Sequence, residues 1–460
     1  MNTIVKNTKS KSADAENNAG LSDTDRQNAT ITHSTRIESD PPRASVPAPT
    51  HKPGGVFERI FLYALRNNQS GGLLLRFPDD STIVLGHGTI QATLEVRDRR
   101  LFRHSVLFGE IGFGEAYVEG WWDSPQPMAV LDWFMRNHSQ SPSFSGGGVR
   151  QLYVNLLGWI NRCRHYLRSN TRRMSRRNIS DHYDLSNDFF KLWLDESMAY
   201  SSGIFLAPDD SLTQAQQNKF AAIARKLQLH SGDHVLEIGC GWGGFALYAA
   251  RNHQCRVTGI TISREQYDYA RDHVQSEGLE HLIDIQLCDY RDLSTENRYS
   301  KIVSIEMVEA LGREYLDTFF RQCNRLLKPD GLMLIQCITF PDPYYADYVR
   351  NVDWTQIHIF PGSLLLSLRE TMNSLHRTGD LMALQVESIG PHYARTLREW
   401  RRNFNARLQA VSALGFDERF VRKWNYYLMF CETGFAARYI NDMQILFSRP
   451  TNRDWLPEVR

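Results

Sequence analysis

Residues 234–250, HVLEIGCGWGGFALYAA, restrict the possible folds of this chain more than any other stretch. Val235, Leu236 and Ile238 form the short apolar run that a parallel strand needs, because such a strand is covered on both faces. Gly239, Cys240, Gly241, Trp242, Gly243 and Gly244 follow as a turn, and without a Cβ the backbone there can approach a ligand closely. Phe245 to Ala250 opens a helix whose N-terminus faces the turn. Glu237 lies near the strand end, where a carboxylate can meet a hydroxylated or cationic ligand. A glycine-rich strand–turn–helix unit also serves dinucleotide folds, and can be purely structural.

The rest of the C-terminal half keeps the same rhythm. Residues 255–262, 283–289, 301–306 and 331–339 read as strands. Residues 263–277 and 313–327 read as helices, the first with Ser263 as N-cap. Such alternation predicts βαβ units and a mostly parallel sheet. Residues 381–389 and 443–448 would add two edge strands. The connections at about 340–380 and 394–438 exceed ordinary loop lengths, which predicts elements that cover a substrate at the carboxyl ends of the strands.

Upstream, four stretches differ in composition. Residues 1–53 are polar and poor in large apolar side chains, and are expected to be disordered. Residues 54–140 read as a small α+β domain, with a helix at 56–66, strands at 72–77, 81–85 and 91–96, and a helix at 127–136. Within it, FGEIGFGEAYVEGWW alternates aromatic residues and glycine, which suits either packing or a lipid- or partner-binding surface. Residues 141–178 read as a linker and basic connector, with Arg162, Arg164, Arg168, Arg172, Arg173, Arg176 and Arg177 and no acidic residue among them. With Leu152, Leu156, Leu157, Trp159 and Ile160 ahead of it, this element can rest on an anionic membrane at about 1 kcal/mol per basic residue, or remain a solvated connector. No nucleic-acid-reading module accompanies it. Residues 179–460 form the main domain, entered through an amphipathic helix at 211–229.

Formal charge is +1, so global charge selects no partner. The seven cysteines lack paired metal spacing, as expected in a reducing compartment without a disulfide framework. No apolar run reaches the roughly 18 residues of a membrane span, and the polar start shows no signal peptide. The expectation is a cytoplasmic protein whose membrane contact is peripheral.

The E-x-G-x-G-x-G turn resembles the nucleotide loop of S-adenosylmethionine (SAM) methyltransferases. Together with HYDLSNDFFKLWLDESMAYSSG, GITISREQ, CDYRDL, EMVEALG and IHIFPGSLL, it resembles the cyclopropane fatty acid synthase family over roughly residues 56 to 450. The resemblance implies a Rossmann-like methyltransferase domain behind a smaller α+β N-terminal domain. It implies SAM as methyl donor, the acyl chain of an unsaturated phospholipid as acceptor, and is compatible with a homodimer. Carried over by position, Tyr200 and Ser201 would lie at the methionine end of SAM. Glu237, Gly239 and Gly241 would form its turn, and Thr261 and Gln266 its ribose and sulfonium side. Asp289, Tyr290 and Arg291 would form the adenine edge, with Asp289 accepting from the amino group and Tyr290 packing on the ring.

The implied chemistry is methyl transfer to a weakly nucleophilic double bond, which leaves a carbocation. That demands a dry site with electron-rich faces and then a base. Loss of a proton from the incoming methyl closes a cyclopropane; loss from a neighbouring carbon leaves a shifted alkene. Phe189, Phe190, Trp193, Tyr344, Tyr345, Tyr348, Trp354 and Phe360 could line such a site. In the resembling family the base is a bound bicarbonate. Glu309 keeps that family's carboxylate, and Ile338 keeps a position whose backbone faces the anion. Ser202 stands in place of Cys, Gln336 in place of His and, on a gapless reading, Arg401 in place of Tyr. Ala310 and Leu366 also depart from the pattern. These changes put bicarbonate in doubt. Arg401 could hold an anion or pair with Glu309, and Glu309 could itself be the base. The alternatives to a ring-forming enzyme are a methyl-branched, methylene or furan-type product, a SAM- or lipid-binding pseudoenzyme, and a methyltransferase for a soluble small molecule.

Overall fold

The structure is a computed structural model that describes residues 50–138, 185–294, 296 and 298–453. Residues 1–49 of the expected polar tail and the whole basic connector lie outside the described residues; the end of the tail, expected to be disordered, instead packs on the first domain, where His51 is buried, stacks on Phe77 and pairs with Glu58. The N-terminal part runs α1 (Val56–Leu65), β1 (Gly71–Arg76), β2 (Thr82–His87), β3 (Ile90–Val96), α2 (Arg100–Val118), β4 (Trp122–Asp123) and α3 (Pro127–His138). Its strands lie in the order β2-β1-β3-β4, with β1 and β3 parallel and the other pairs antiparallel. Alternate residues Leu73, Leu75, Leu94 and Val96 point inward and are buried with Leu101, Phe102 and Trp122.

The glycine–aromatic run is a packing device. It lies mostly in α2, which kinks at Gly109 (φ 60°, ψ −133°). A Cβ on Gly114 would stand 2.6 Å from Trp354 Cδ1 and 2.7 Å from Tyr426 Cε1. Only glycine therefore lets this helix close against the elements that carry those rings. Arg422 ties the same contact, donating to the Tyr117 carbonyl at 2.7 Å and to Asp123 at 3.2 Å.

The main domain contains α4 (Asn187–Lys191), α5 (Leu212–Leu227), β5 (His234–Ile238), α6 (Gly244–His253), β6 (Arg256–Thr261), α7 (Arg264–Ser276), β7 (Ile283–Leu287), β8 (Tyr299–Ile305), α8 (Leu316–Leu326) and β9 (Leu327–Thr339). It continues through α9 (Tyr345–Arg350), α10 (Trp354–His358), α11 (Leu368–Thr378), β10 (Met382–Ser388), α12 (Gly390–Ala406), α13 (Leu408–Ala413), α14 (Glu418–Ala436) and β11 (Asn441–Ser448). The seven-stranded sheet has the order β10-β11-β9-β8-β5-β6-β7. Strands β5 to β9 are parallel, and β11 runs antiparallel to both β9 and β10.

Side-chain alternation builds three layers. Val235, Val257, Ile285, Val303 and Leu334 pack on one face with α5, α6 and α7. Leu236, Ile260, Ile302, Met333 and Ile335 pack on the other with α8 and α11. Helix starts follow capping chemistry. Ser211 Oγ accepts from Gln214 N at 3.1 Å, and Ser263 Oγ accepts from Gln266 N at 3.3 Å. The strand order places the ends of β5, β6, β8 and β9 on one edge, and α12 and α14 fold back over it. Among the described residues no helix is long and apolar enough to cross a membrane.

Candidate active site

The glycine turn after β5 uses left-handed backbone at Gly239 (φ 80°), Gly241 (φ 53°) and Gly243 (φ 89°). A Cβ on Gly239 would lie 2.5 Å from Met307 Cγ, whereas a Cβ on Gly241 would meet nothing within 4 Å. The first glycine is needed for packing; the second faces open space. Glu237 is buried, its Oε2 has no partner, and burial pushes its pKa to about 8. A ribose hydroxyl would satisfy that oxygen. The open face at Gly241 and this orphaned acceptor fit a nucleoside cofactor. Gly239→Ala should lower stability and SAM affinity together. The left-handed backbone costs an L-residue about 1–2 kcal/mol, and the clash moves Met307; calorimetric SAM titration and thermal unfolding check this.

Of the other expected cofactor residues, Thr261 and Gln266 orient each other: Thr261 Oγ1 donates to Gln266 Oε1 at 2.8 Å. The Tyr200 hydroxyl lies 2.8 Å from that of Tyr427. Ser201 Oγ accepts from Lys219 Nζ at 2.6 Å. Lys219 is fully buried, and that burial pulls its pKa down to about 8 against the raising effect of Glu306, Asp195, Asp442 and Glu237.

The adenine-edge expectation needs correction. Asp289 is engaged by Arg291, which reaches it through its backbone N (3.0 Å), Nε (2.9 Å) and Nη2 (2.6 Å). Tyr290 turns into the core under the sheet, edge-on to Phe319 at 5.6 Å, because its ring completes the apolar layer there. Its side chain is not placed to pack on a ligand ring.

The centre of the site is a carboxylate that sequence reasoning missed. Glu306 follows β8 with φ 48°, a left-handed conformation that a glutamate adopts only when its surroundings impose it. Its Oε1 accepts from Ser202 N at 2.8 Å and from Gln336 Nε2 at 2.7 Å. Its Oε2 accepts from the Tyr393 hydroxyl at 2.6 Å. Three donors from three separate segments thus converge on one anion. Burial raises its pKa, against these hydrogen bonds and Lys219.

Glu309 lies one 3-10 turn further on. Its Oε1 accepts from Ile338 N at 2.5 Å, and its Oε2 is buried without a partner. Burial first, and the neighbouring Glu306 second, push its pKa to about 8.

Two other expectations change. The Ser202 hydroxyl donates to the Gly203 carbonyl at 3.1 Å, so only the backbone of Ser202 serves the site. Arg401 neither holds an anion at the centre nor pairs with Glu309. It binds Glu432 Oε2 at 3.2 Å and lies against Met128. The tyrosine hydroxyl of the site belongs to Tyr393, eight residues earlier on α12. Gln336 and Ile338 do reach the centre, the first through its amide and the second through its backbone N–H.

The aromatic expectation holds for a subset. Tyr200 sits among Phe190, Trp193, Phe360 and Trp400, with centroids 5.3–6.2 Å apart. Tyr345 packs on Tyr348, which stacks on Phe340; Tyr344 is exposed, and Trp354 packs on Tyr426.

Residues 170–445 match the family described as mycolic acid cyclopropane synthetase. The chain belongs to this family. It is 36% identical to a tuberculostearic acid methyltransferase of Mycobacterium tuberculosis, over 75% of this chain and 79% of that protein. It is 34% identical to the cyclopropane-fatty-acyl-phospholipid synthase of Escherichia coli K12, over 79% of this chain and 89% of that protein. A solved mycolic acid cyclopropane synthase complexed with SAH and CTAB superposes with a TM-score of 0.55. It is 30% identical and covers 60% of this chain and 98% of that one. This cyclopropane synthase family member is therefore a SAM-dependent lipid methyltransferase.

Proposed function

We propose that this family member transfers a methyl group from SAM to a double bond of an unsaturated phospholipid acyl chain, and that its own Glu306 carboxylate, rather than a bound bicarbonate, removes the resulting proton. The observation that carries this reading is the occupancy of the anion position. The backbone of Ser202, the side chain at Gln336 and a tyrosine hydroxyl are the kinds of donor expected around bicarbonate, and all three are taken by Glu306.

Bound SAM supplies an electrophilic methyl. The chain's own residues do the rest. Tyr200, Phe360 and Trp400 offer electron-rich faces beside the centre, which favour a cation in a dry site. Glu309, held protonated by burial below pH 8, keeps the local negative charge on Glu306. A C–H bond then breaks and its proton passes to Glu306: on the transferred methyl, the freed electron pair closes the carbon–carbon bond of a cyclopropane; on a carbon beside the cation, it forms a carbon–carbon double bond. A methyl-branched alkene and a methylene-branched chain, both isomers of the cyclopropane, then stand beside it as outcomes of one base.

Incubation with trideuteromethyl SAM and dioleoyl phosphatidylglycerol vesicles tests the reading by mass spectrometry. Labelled acyl chains are expected. SAM binding without label in any acyl chain would overturn it.

A further inference from the structure

Asp442 is a buried carboxyl on β11 that the methyl-transfer scheme above leaves without a role. It is fully buried, and it pairs in register with Ile338, whose N–H holds Glu309. Its Oδ2 accepts from Gln336 Nε2 at 3.0 Å, the same nitrogen that donates to Glu306 Oε1 at 2.7 Å. Its Oδ1 has no partner. An amide nitrogen has two hydrogens, so Gln336 spends both on two carboxyls and draws them together. Gln336 is itself aimed from behind: its Oε1 accepts from Gln444 Nε2 at 2.9 Å, and Gln444 Oε1 accepts from Lys226.

We propose that Asp442 and Glu306 share one proton, and that Asp442 is the positioning residue that keeps the pair at a single negative charge. The inference rests on the methyl-transfer reading for its purpose, though not for its test.

Two buried carboxylates on one amide nitrogen repel strongly if both are ionised. The charged and titratable groups facing the pair are Lys219 from α5, Glu309 from the turn after β8, Cys337 from β9, Tyr393 from α12 and Tyr427 from α14. Only Lys219 among them is a cation, and it already donates to Ser201. Burial, with Glu306 and Glu309 beside it, raises the Asp442 pKa well above the carboxylate range. When the acyl cation loses its proton, Glu306 receives it and the pair becomes neutral. Release of that proton to water restores the singly charged pair.

Infrared difference spectroscopy of the full chain at pH 7 tests this through the carbonyl stretch of protonated carboxylic acids. Wild type minus Asp442→Asn should show one acid band lost, and wild type minus Glu306→Gln should show one acid band lost as well. Glu237 contributes alike to all three proteins and cancels, and the band of Glu309, whose protonation Glu306 also favours, is identified from Glu309→Gln. Asp442→Asn should also slow labelling of oleoyl vesicles at least about tenfold, with the KM for SAM unchanged. An acid band that survives in both variants would overturn the shared proton. Absence of lipid labelling in the wild type would count against the methylation reading alone, because the infrared result stands on its own. Glu306→Gln provides the second, independent variant should Asp442→Asn fail to fold.

Discussion

Glu306→Gly should convert turnover from bicarbonate-independent to bicarbonate-dependent. Glycine takes the φ of 48° without strain, so the backbone after β8 should keep its path. The carboxylate disappears, and three donors lose their acceptor: Ser202 N, Gln336 Nε2 and the Tyr393 hydroxyl. Donors left unpaired in a buried site each need a replacement acceptor. Bicarbonate is a planar oxyanion of suitable size, and it can also accept the proton. Without it, loss of the base should slow lipid labelling by about 10²–10⁴-fold. With bicarbonate added, a substantial part of the rate should return. Glu306→Gln, which fills the same space, should lose the rate and gain nothing from bicarbonate. Equal rates in wild type and both variants would remove Glu306 from the chemistry.

Glu309→Gln should lower turnover strongly while raising stability, and the gain should depend on pH in a defined direction. A carboxyl whose folded pKa is raised from 4.5 to about 8 contributes stability that is fully present below 4.5. That contribution is lost progressively as pH rises to about 8, at roughly 1.4 kcal/mol per unit. The neutral amide has no such loss. Thermal unfolding should therefore separate variant from wild type most at pH 8 and above, and least below pH 4.5. Turnover should fall because the buried, unpartnered Oε2 of Glu309 lies beside the base, and an amide cannot exchange a proton there. A folded variant with undiminished lipid labelling would show that this oxygen is not used.

The sheet was legible because its signals are local. Short apolar runs in β5, β6 and β8 mark strands covered on both faces, and Ser263 announces its helix by its own side chain. The glycine turn was legible for the same reason, since a left-handed φ restricts residue choice. The acid–base centre was not, because it depends on packing between distant segments. Arg401 and Tyr393 lie on one helix, eight residues apart. That offset is roughly 12 Å along the axis and 80° around it, so a gapless match to a motif chose the wrong side chain. Glu306 was hidden in plain view beside Glu309: a strand-end glutamate is ordinary in sequence, and only its φ and its three donors set it apart. Asp442 sits on a strand more than 100 residues from Gln336, where no spacing rule connects them. Tyr290 was misread in the opposite sense: its motif neighbours suggested a ligand contact, but the apolar layer beneath β5 and β6 takes its ring.

The central claim is that a carboxylate of the chain occupies the anion position and acts as the base. The most direct measurement is the rate of acyl-chain labelling from trideuteromethyl SAM in carbon-dioxide-depleted buffer, titrated with bicarbonate. A full rate at the lowest bicarbonate, flat across the titration, is the result this account predicts. A rate that is near zero without bicarbonate and rises to saturation with it would contradict the account. It would place an external anion where Glu306 is held.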